Sequence, residues 1–267
     1  MEEPVLAVDI GSGTQDILVY LPGRNLENCP KLVMPSRTQI VGAQIRKVTA
    51  LNQDLFLTGN LMGGGASTAA VKAHVRKGLK AYATKDAAKT FHDDLNVVKK
   101  MGIELVEKQP EGTERIVLAD LDLAALQQAL TAFDLELPSK VIAALQDHGE
   151  CLEGSNREFR FKKWQEFILN GGELSDLVYR EAPGYLTRMC ALQKAIPHAY
   201  VMDTGAAAVW GALCDPVAGA WRERGLLVVN IGNSHTLGVS IKGSRILART
   251  KRQTQIRRDI PDEEKPR

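Results

Sequence analysis

The sequence predicts an α/β fold, and three observations predict it. Short strands of buried-type composition alternate with helical periods as far as about residue 200. The chain opens on two strands joined by a glycine turn. A second hairpin of the same layout stands near residue 230.

Taken in order, Val5 to Ile10 reads as a buried strand, Gly11-Ser12-Gly13-Thr14 breaks it, and Ile17 to Leu21 resumes it. Pro22-Gly23 ends that strand, and Lys31 to Met34 forms a third, followed by Pro35. Leu55 to Leu57 is a short strand leading through Gly63-Gly64-Gly65 into a helix over Ser67 to Lys77. Ile103 to Val106 and Ile116 to Ala119 are strands. Leu123, Leu126, Leu130 and Phe133 recur on one helical face, with Asp120 or Asp122 as cap and Pro138 beyond the end. Val141 to Leu145 is a strand opening onto Asp147-His148-Gly149. Phe159 to Leu169 and Tyr185 to Ile196 are helices, the latter stopped by Pro197. A small-residue helix over Ala206 to Leu213 closes at Asp215-Pro216. Leu226 to Ile231 and Thr236 to Ile241 make the second hairpin. From Lys242 to Arg258 there are seven basic residues and no acid, and the remainder to Arg267 reads as disordered.

Composition narrows the class. The 267 residues are 44% hydrophobic and 25% charged, enough to bury a real core. A net charge of +2 gives no bulk electrostatic pull on nucleic acid. Cys29, Cys151, Cys190 and Cys214 form no C-x-x-C pair, so a zinc or iron–sulfur site is not expected, and scattered thiols fit a reducing cytoplasm. The longest apolar run, Ala206 to Leu213, falls far short of the roughly 20 residues of a membrane span, so no membrane partner is expected. The G-x-x-x-x-G-K-[ST], G-x-G-x-x-G, H-E-x-x-H and G-x-S-x-G patterns are all absent.

The chemistry concentrates in the hairpins. In Val8-Asp9-Ile10-Gly11-Ser12-Gly13-Thr14 an aspartate ends a strand just before a turn of small residues. Such a turn lets backbone N–H groups approach phosphate oxygens, and the hydroxyls of Ser12 and Thr14 add donors. Asp9 suits Mg2+ held through water; the alternative is a purely structural hairpin. Asn230-Ile231-Gly232-Asn233-Ser234-His235-Thr236 repeats the order of Asp or Asn, glycine turn and threonine.

Other candidates stand apart from these loops. Gly63, Gly64 and Gly65 before a helix offer either an anion site or a flexible loop. Asp147 and His148 follow a strand end, where open sheets place their chemistry; either is a candidate base for a substrate hydroxyl, or a cap for the strand end. Arg157 and Arg160 form a compact pair suited to a carboxylate or phosphate, or else a solvated face; a nucleic-acid site would need a longer basic stripe.

These loops together resemble the two phosphate loops of the superfamily that includes actin, hexokinase, acetate kinase and the heat-shock chaperones. The segment Asp203-Thr204-Gly205 with the helix after it is similar to that superfamily's small-residue crossing helix. Met62-Gly63-Gly64-Gly65, Gln146-Asp147-His148-Gly149, Ser155-Asn156-Arg157 with Arg160, and Asp203-Thr204-Gly205 resemble a mainly prokaryotic family labelled as pyruvate formate-lyase-activating proteins. Radical activases of that label use C-x-x-x-C-x-x-C, which this sequence lacks.

The resemblance implies an actin-like ATPase (ribonuclease H-like) lobe over 1–215, with an incomplete second lobe. That second lobe would begin at 216–247 and give way to a basic tail over 248–267. It implies ATP with Mg2+ held by Asp9, Gly11, Ser12, Gly13, Thr14, Asn230, Gly232, Asn233, Ser234 and Thr236. Catalysis would fall to Asp147 and His148, and a small-molecule substrate's anion to Arg157, Arg160 and Gly63 to Gly65. Alternatives are a non-catalytic sensing or assembly module, and a shortened product. Asn230 replaces the superfamily's aspartate, and only 52 residues follow Asp215, so this chain alone is not expected to be a competent enzyme.

Overall fold

The computed structural model describes residues 3–151, 156–232 and 235–253. It is a mixed α/β structure built on three sheets.

The first sheet joins the start of the chain to strands between residues 140 and 202. Strands β1 (Val5–Ile10), β2 (Thr14–Tyr20) and β3 (Lys31–Pro35) form an antiparallel meander. Helix α1 (Arg37–Ala50) follows. The sequence pattern misses it, because its Ile40, Val41, Ile45, Val48 and Thr49 are β-branched and its polar residues dilute the helical period. Packing against the next helix overrides that propensity: a Cβ on Gly42 would stand 3.1 Å from the Ala66 carbonyl oxygen.

The second sheet comes entirely from the middle of the chain. It contains β4 (Asp54–Gly59), reached before α2 (Gly65–Arg76), then β5 (Ala81–Ala83). After α3 (Lys85–Ala88) and α4 (Leu95–Lys100) come β6 (Ile103–Leu105) and β7 (Thr113–Leu118). The order β6-β5-β4-β7 is parallel throughout. Leu55, Leu57, Ile103 and Leu118 are fully buried with Val41 and Ile45 of α1 and Val71 of α2, forming one core. Gly59 ends β4 at φ +98°, and a Cβ there would lie 2.3 Å from the Leu118 carbonyl oxygen. Gly59→Ala should therefore cost about 3 kcal/mol, combining left-handed strain with a backbone clash. An unchanged urea midpoint would contradict this.

The chain then returns to the first sheet. Helix α5 (Leu123–Thr131) is capped by Asp122, whose carboxylate accepts from the Ala125 N–H at 3.1 Å. Of the two capping candidates Asp120 has another role, and Phe133 falls beyond the helix and is 76% exposed. Strand β8 (Lys140–Leu145) lies parallel to β1, with Asp9 opposite Ala144. Helix α6 (Asn156–Leu169), β9 (Val178–Tyr179), α7 (Thr187–Ala195) and β10 (Tyr200–Met202) complete the order β3-β2-β1-β8-β10-β9. Leu6, Val8 and Ile10 bury there against Val141, Leu145, Met189 and Val201.

Helix α8 (Thr204–Cys214) begins two residues earlier than its apolar run, capped by Asp203. Asp215-Pro216 ends it and also starts α9 (Pro216–Ala220), with Asp215 capping at 2.9 Å. The third sheet is antiparallel: β11 (Leu226–Ile231), β12 (His235–Lys242) and β13 (Arg245–Gln253). This corrects the expectation of a tail from residue 248, since β13 carries the sheet through Gln253. The sequence hid it because its alternation is basic and polar rather than apolar on the outward face. A helix layer also covers the sheet: Val228, Val239, Ile241 and Ile246 pack on Val209, Leu213, Leu174 and Trp164. Leu227, Val229 and Ile231 on the other face of β11 remain exposed. Residues 254–267 of the expected tail lie outside the described residues.

Candidate functional site

The three sheets meet at a cleft of about 770 Å³. The carboxyl ends of the parallel strands β1, β8 and β10 open onto it, delivering Gly11, Asp147 and Asp203. That edge is where open α/β sheets leave room for a ligand, since each strand there turns away toward its helix. Four helices of nine residues or more, α1, α2, α7 and α8, present their N-terminal residues Arg37, Gly65, Thr187 and Thr204 to the same space. Partial positive charge at those ends favours an anion.

Both hairpins line the cleft and close alike. The Gly11 N–H donates to the Thr14 carbonyl at 2.9 Å, and the Gly232 N–H donates to the His235 carbonyl at 2.9 Å. Asp9 and Asn230 each stand two residues before the glycine. The match puts His235, not Thr236, in the place of Thr14. Thr236 does not line the cleft, whereas His235 does, which corrects the assignment of Thr236. The sequence suggested threonine because the hydroxyl types agree, but strand pairing sets the position: Ile231 faces Thr236 as Ile10 faces Gln15. Asn233 and Ser234 lie outside the described residues. The first turn is braced by α1: Ser36 donates its N–H to the Gly13 carbonyl at 3.0 Å and its hydroxyl to the Ser12 carbonyl at 3.0 Å. Thr14 Oγ1 donates to Asp16 at 3.2 Å.

Asp9 accepts a hydrogen bond from Thr204 Oγ1 at 2.9 Å, joining β1 to α8. Burial pushes its carboxyl above the usual aspartate range; the Thr204 hydroxyl pulls it back, and the neighbouring Asp16 and Asp203 push it up again. No cation pairs with it among the described residues. The fold brings α8 very close to β12 here: a Cβ on Gly205 would lie 2.4 Å from Leu237 Cδ2.

Asp147 and His148 also face the cleft. The Asp147 carboxylate accepts from the Gly149 N–H at 2.8 Å and the Met189 N–H at 2.9 Å, so it caps α7 and is held in place. Burial nevertheless raises its carboxyl above the usual range. Beside it, Arg188 donates to both oxygens of Asp120 at 2.7 Å and to the Gln146 carbonyl at 2.7 Å. Asp120 also accepts the Gly63 N–H at 3.1 Å. The glycine run thus fits close packing: a Cβ on Gly63 would meet Arg188 at 2.8 Å, and one on Gly64 would meet the Thr90 carbonyl oxygen at 2.7 Å. Gly65, like both of these, lines the cleft. Sequence reading missed Arg188, Asp120 and His235, because nothing in their local spacing marks them.

A second pocket of about 1360 Å³ adjoins the cleft and shares Asp147, His148, Asp203, His235 and Arg249 with it. Arg160 lines this second pocket rather than the first. Its guanidinium donates to His148 Nδ1 at 2.8 Å, which leaves the proton of a neutral imidazole on Nε2. The Arg157 side chain lies outside the described residues.

The sequence model of the family described as "Putative pyruvate format-lyase activating enzyme (DUF1786)" matches residues 62–258. No curated protein matches the chain. The donor set does not fit an iron–sulfur centre: among the described residues no three His, Cys, Asp or Glu side chains gather where a metal could sit, and no two of the four cysteines share a C-x-x-C spacing. A magnesium ion makes a smaller demand, because one carboxylate, waters and phosphate oxygens complete its shell, and Asp9 meets it. No described helix is long and apolar enough to cross a membrane.

Proposed function

We propose that this chain, which belongs to the DUF1786 family, grips the phosphates of ATP between its two glycine-turn hairpins and transfers a phosphoryl group to a small molecule in the adjoining pocket. One observation carries the reading. Two hairpins with the same Gly N–H to carbonyl closure and the same Asp or Asn two residues earlier line a single cleft. This is the arrangement expected of an actin-like ATPase fold, and four converging helix N-termini add to the pull on phosphate.

In this reading the chain's residues mostly position and neutralise, as phosphoryl transfer requires. Asp9 would hold a magnesium ion through water, and the ion would supply screening of the phosphate charge. The Gly11 and Gly232 N–H groups close their own turns, so the two turns shape the phosphate site while the N-termini of α1, α2, α7 and α8 supply the pull on phosphate oxygens. Asp147, fixed by two backbone N–H groups and raised by burial, takes the proton from the acceptor's hydroxyl. A sensing module without turnover is the second reading, favoured by Asn230 in place of a carboxylate.

Calorimetry of the full chain with magnesium–ATP tests the proposal, and an ATP hydrolysis assay separates the two readings. Saturable binding that fails with adenosine is expected. Absence of binding, or equal binding of adenosine, would overturn it.

A further inference from the structure

Four long cationic side chains line the cleft among the described residues, and three of them are matched by hydrogen-bonded carboxylates or carbonyls. Arg37 meets Asp122 at 3.3 Å and the Ala119 carbonyl, Lys89 meets Glu150 at 2.8 Å, and Arg188 meets Asp120 at 2.7 Å. Arg249 is different. Its side chain is only 11% exposed, its Nε is buried without a hydrogen-bond partner, and its Nη2 stands 3.9 Å from Asp203, beyond hydrogen-bond reach. Asp203 is already engaged as the cap of α8. Leaving a guanidinium this poorly satisfied is costly unless something else completes it.

Its surroundings say what that something is. Arg249 sits over the Trp164 ring, its central carbon 3.7 Å from the ring centroid, a contact that holds the guanidinium in place. It lines both the cleft and the second pocket. The second pocket continues from it over apolar rings: Trp164 with Phe167 at 5.4 Å, and Phe159 with Tyr185 at 5.8 Å. Burial pushes the Arg249 guanidinium down, Asp203 pulls it up, and Arg160 pushes it down again, which places a second cation nearby.

We propose that Arg249 is the recognition residue of the second pocket, and that it takes the carboxylate of an organic acid whose apolar body lies along the Trp164 and Tyr185 wall. A planar fork matches two carboxylate oxygens, and the aromatic wall excludes a purely polar ligand. The assignment of this acid as the phosphoryl acceptor rests on the proposed function, but the carboxylate site itself does not.

The test uses phenylbutyrate, its uncharged amide and inorganic phosphate, each titrated into the full chain by calorimetry and by tryptophan emission. Phenylbutyrate should bind saturably and change the emission, and that change should be lost in Trp164→Phe. The amide and inorganic phosphate should bind at least about tenfold more weakly, as should phenylbutyrate to Arg249→Ala, the effect of losing one hydrogen bond to a charge. Arg249→Gln, checked by circular dichroism, retains more of the side chain and a polar end if the alanine variant fails to fold. Unchanged phenylbutyrate affinity in a folded Arg249 variant, no saturable binding to the parent chain, or preference for inorganic phosphate would overturn the proposal. Repeating the titration on Asp9→Ala separates the two ideas. Binding retained there while magnesium–ATP fails on the parent chain leaves the carboxylate site standing without the phosphotransferase reading.

Discussion

On the proposed function, Asp9→Ala should weaken magnesium-dependent ATP binding by about ten- to a hundredfold while the fold survives. The size follows from removing one charged contact, about 1.5–3 kcal/mol. Among the described residues the carboxylate has no ion-pair partner, and its hydrogen bond to Thr204 is a single contact near the end of a well-buried strand. Equal nucleotide affinity in mutant and parent would refute the assignment.

The same residue gives a pH signature without any ligand. Its folded carboxyl lies above the ordinary range because burial, Asp16 and Asp203 disfavour the charge. A raised acid helps stability where it is protonated, and that help is lost as pH rises through its folded value. Asp9→Asn, which keeps an acceptor for Thr204, should therefore stabilise the free protein near neutral pH. The gain should vanish as the pH falls below the ordinary aspartate range. A stabilisation that is independent of pH would show that the charge is not its cause.

Asp120→Ala should be the most destabilising of these single changes. Asp120 is 4% exposed and takes both forks of Arg188, while also holding the Gly63 N–H. Asp120 follows β7 of the second sheet, and Arg188 opens α7 beside the first. The pair therefore ties the two sheets together at the wall of the cleft. Removing one partner strands a buried guanidinium with only the Gln146 carbonyl, a loss of about 3–5 kcal/mol. Urea unfolding measures it, and Asp120→Asn should fall between parent and alanine. A drop below about 1 kcal/mol would mean the sheets are held by apolar packing alone.

The core of the fold was legible because burial leaves a periodic trace. Val5–Val8 and Val141–Leu145 are continuous apolar runs, and their strands pair as neighbours in register. The glycine turns were legible because a tight hairpin admits few residue types. Helix α1 and strand β13 were not, since packing and pairing decide them rather than an apolar period of their own: α2 for the one, the neighbouring β12 and the remote α6 for the other. In β13 the buried member of the alternation is Ile246, and a strand of arginines and lysines around it reads as a tail.

By itself, then, the sequence determined that the chain is α/β with Asp9 and Asp147 at strand ends, and that two matching turns bracket it. Both properties are local: side-chain period and turn chemistry act over a few residues. Only the tertiary structure decided which residues share the cleft. It brought Arg188 to Asp120 across 68 positions, set His235 where Thr236 was expected, and delivered Arg249 from the third sheet to the rim of both pockets. Charge pairing and strand register are settled by three-dimensional contact, and a contact between distant residues leaves no mark on the spacing of either.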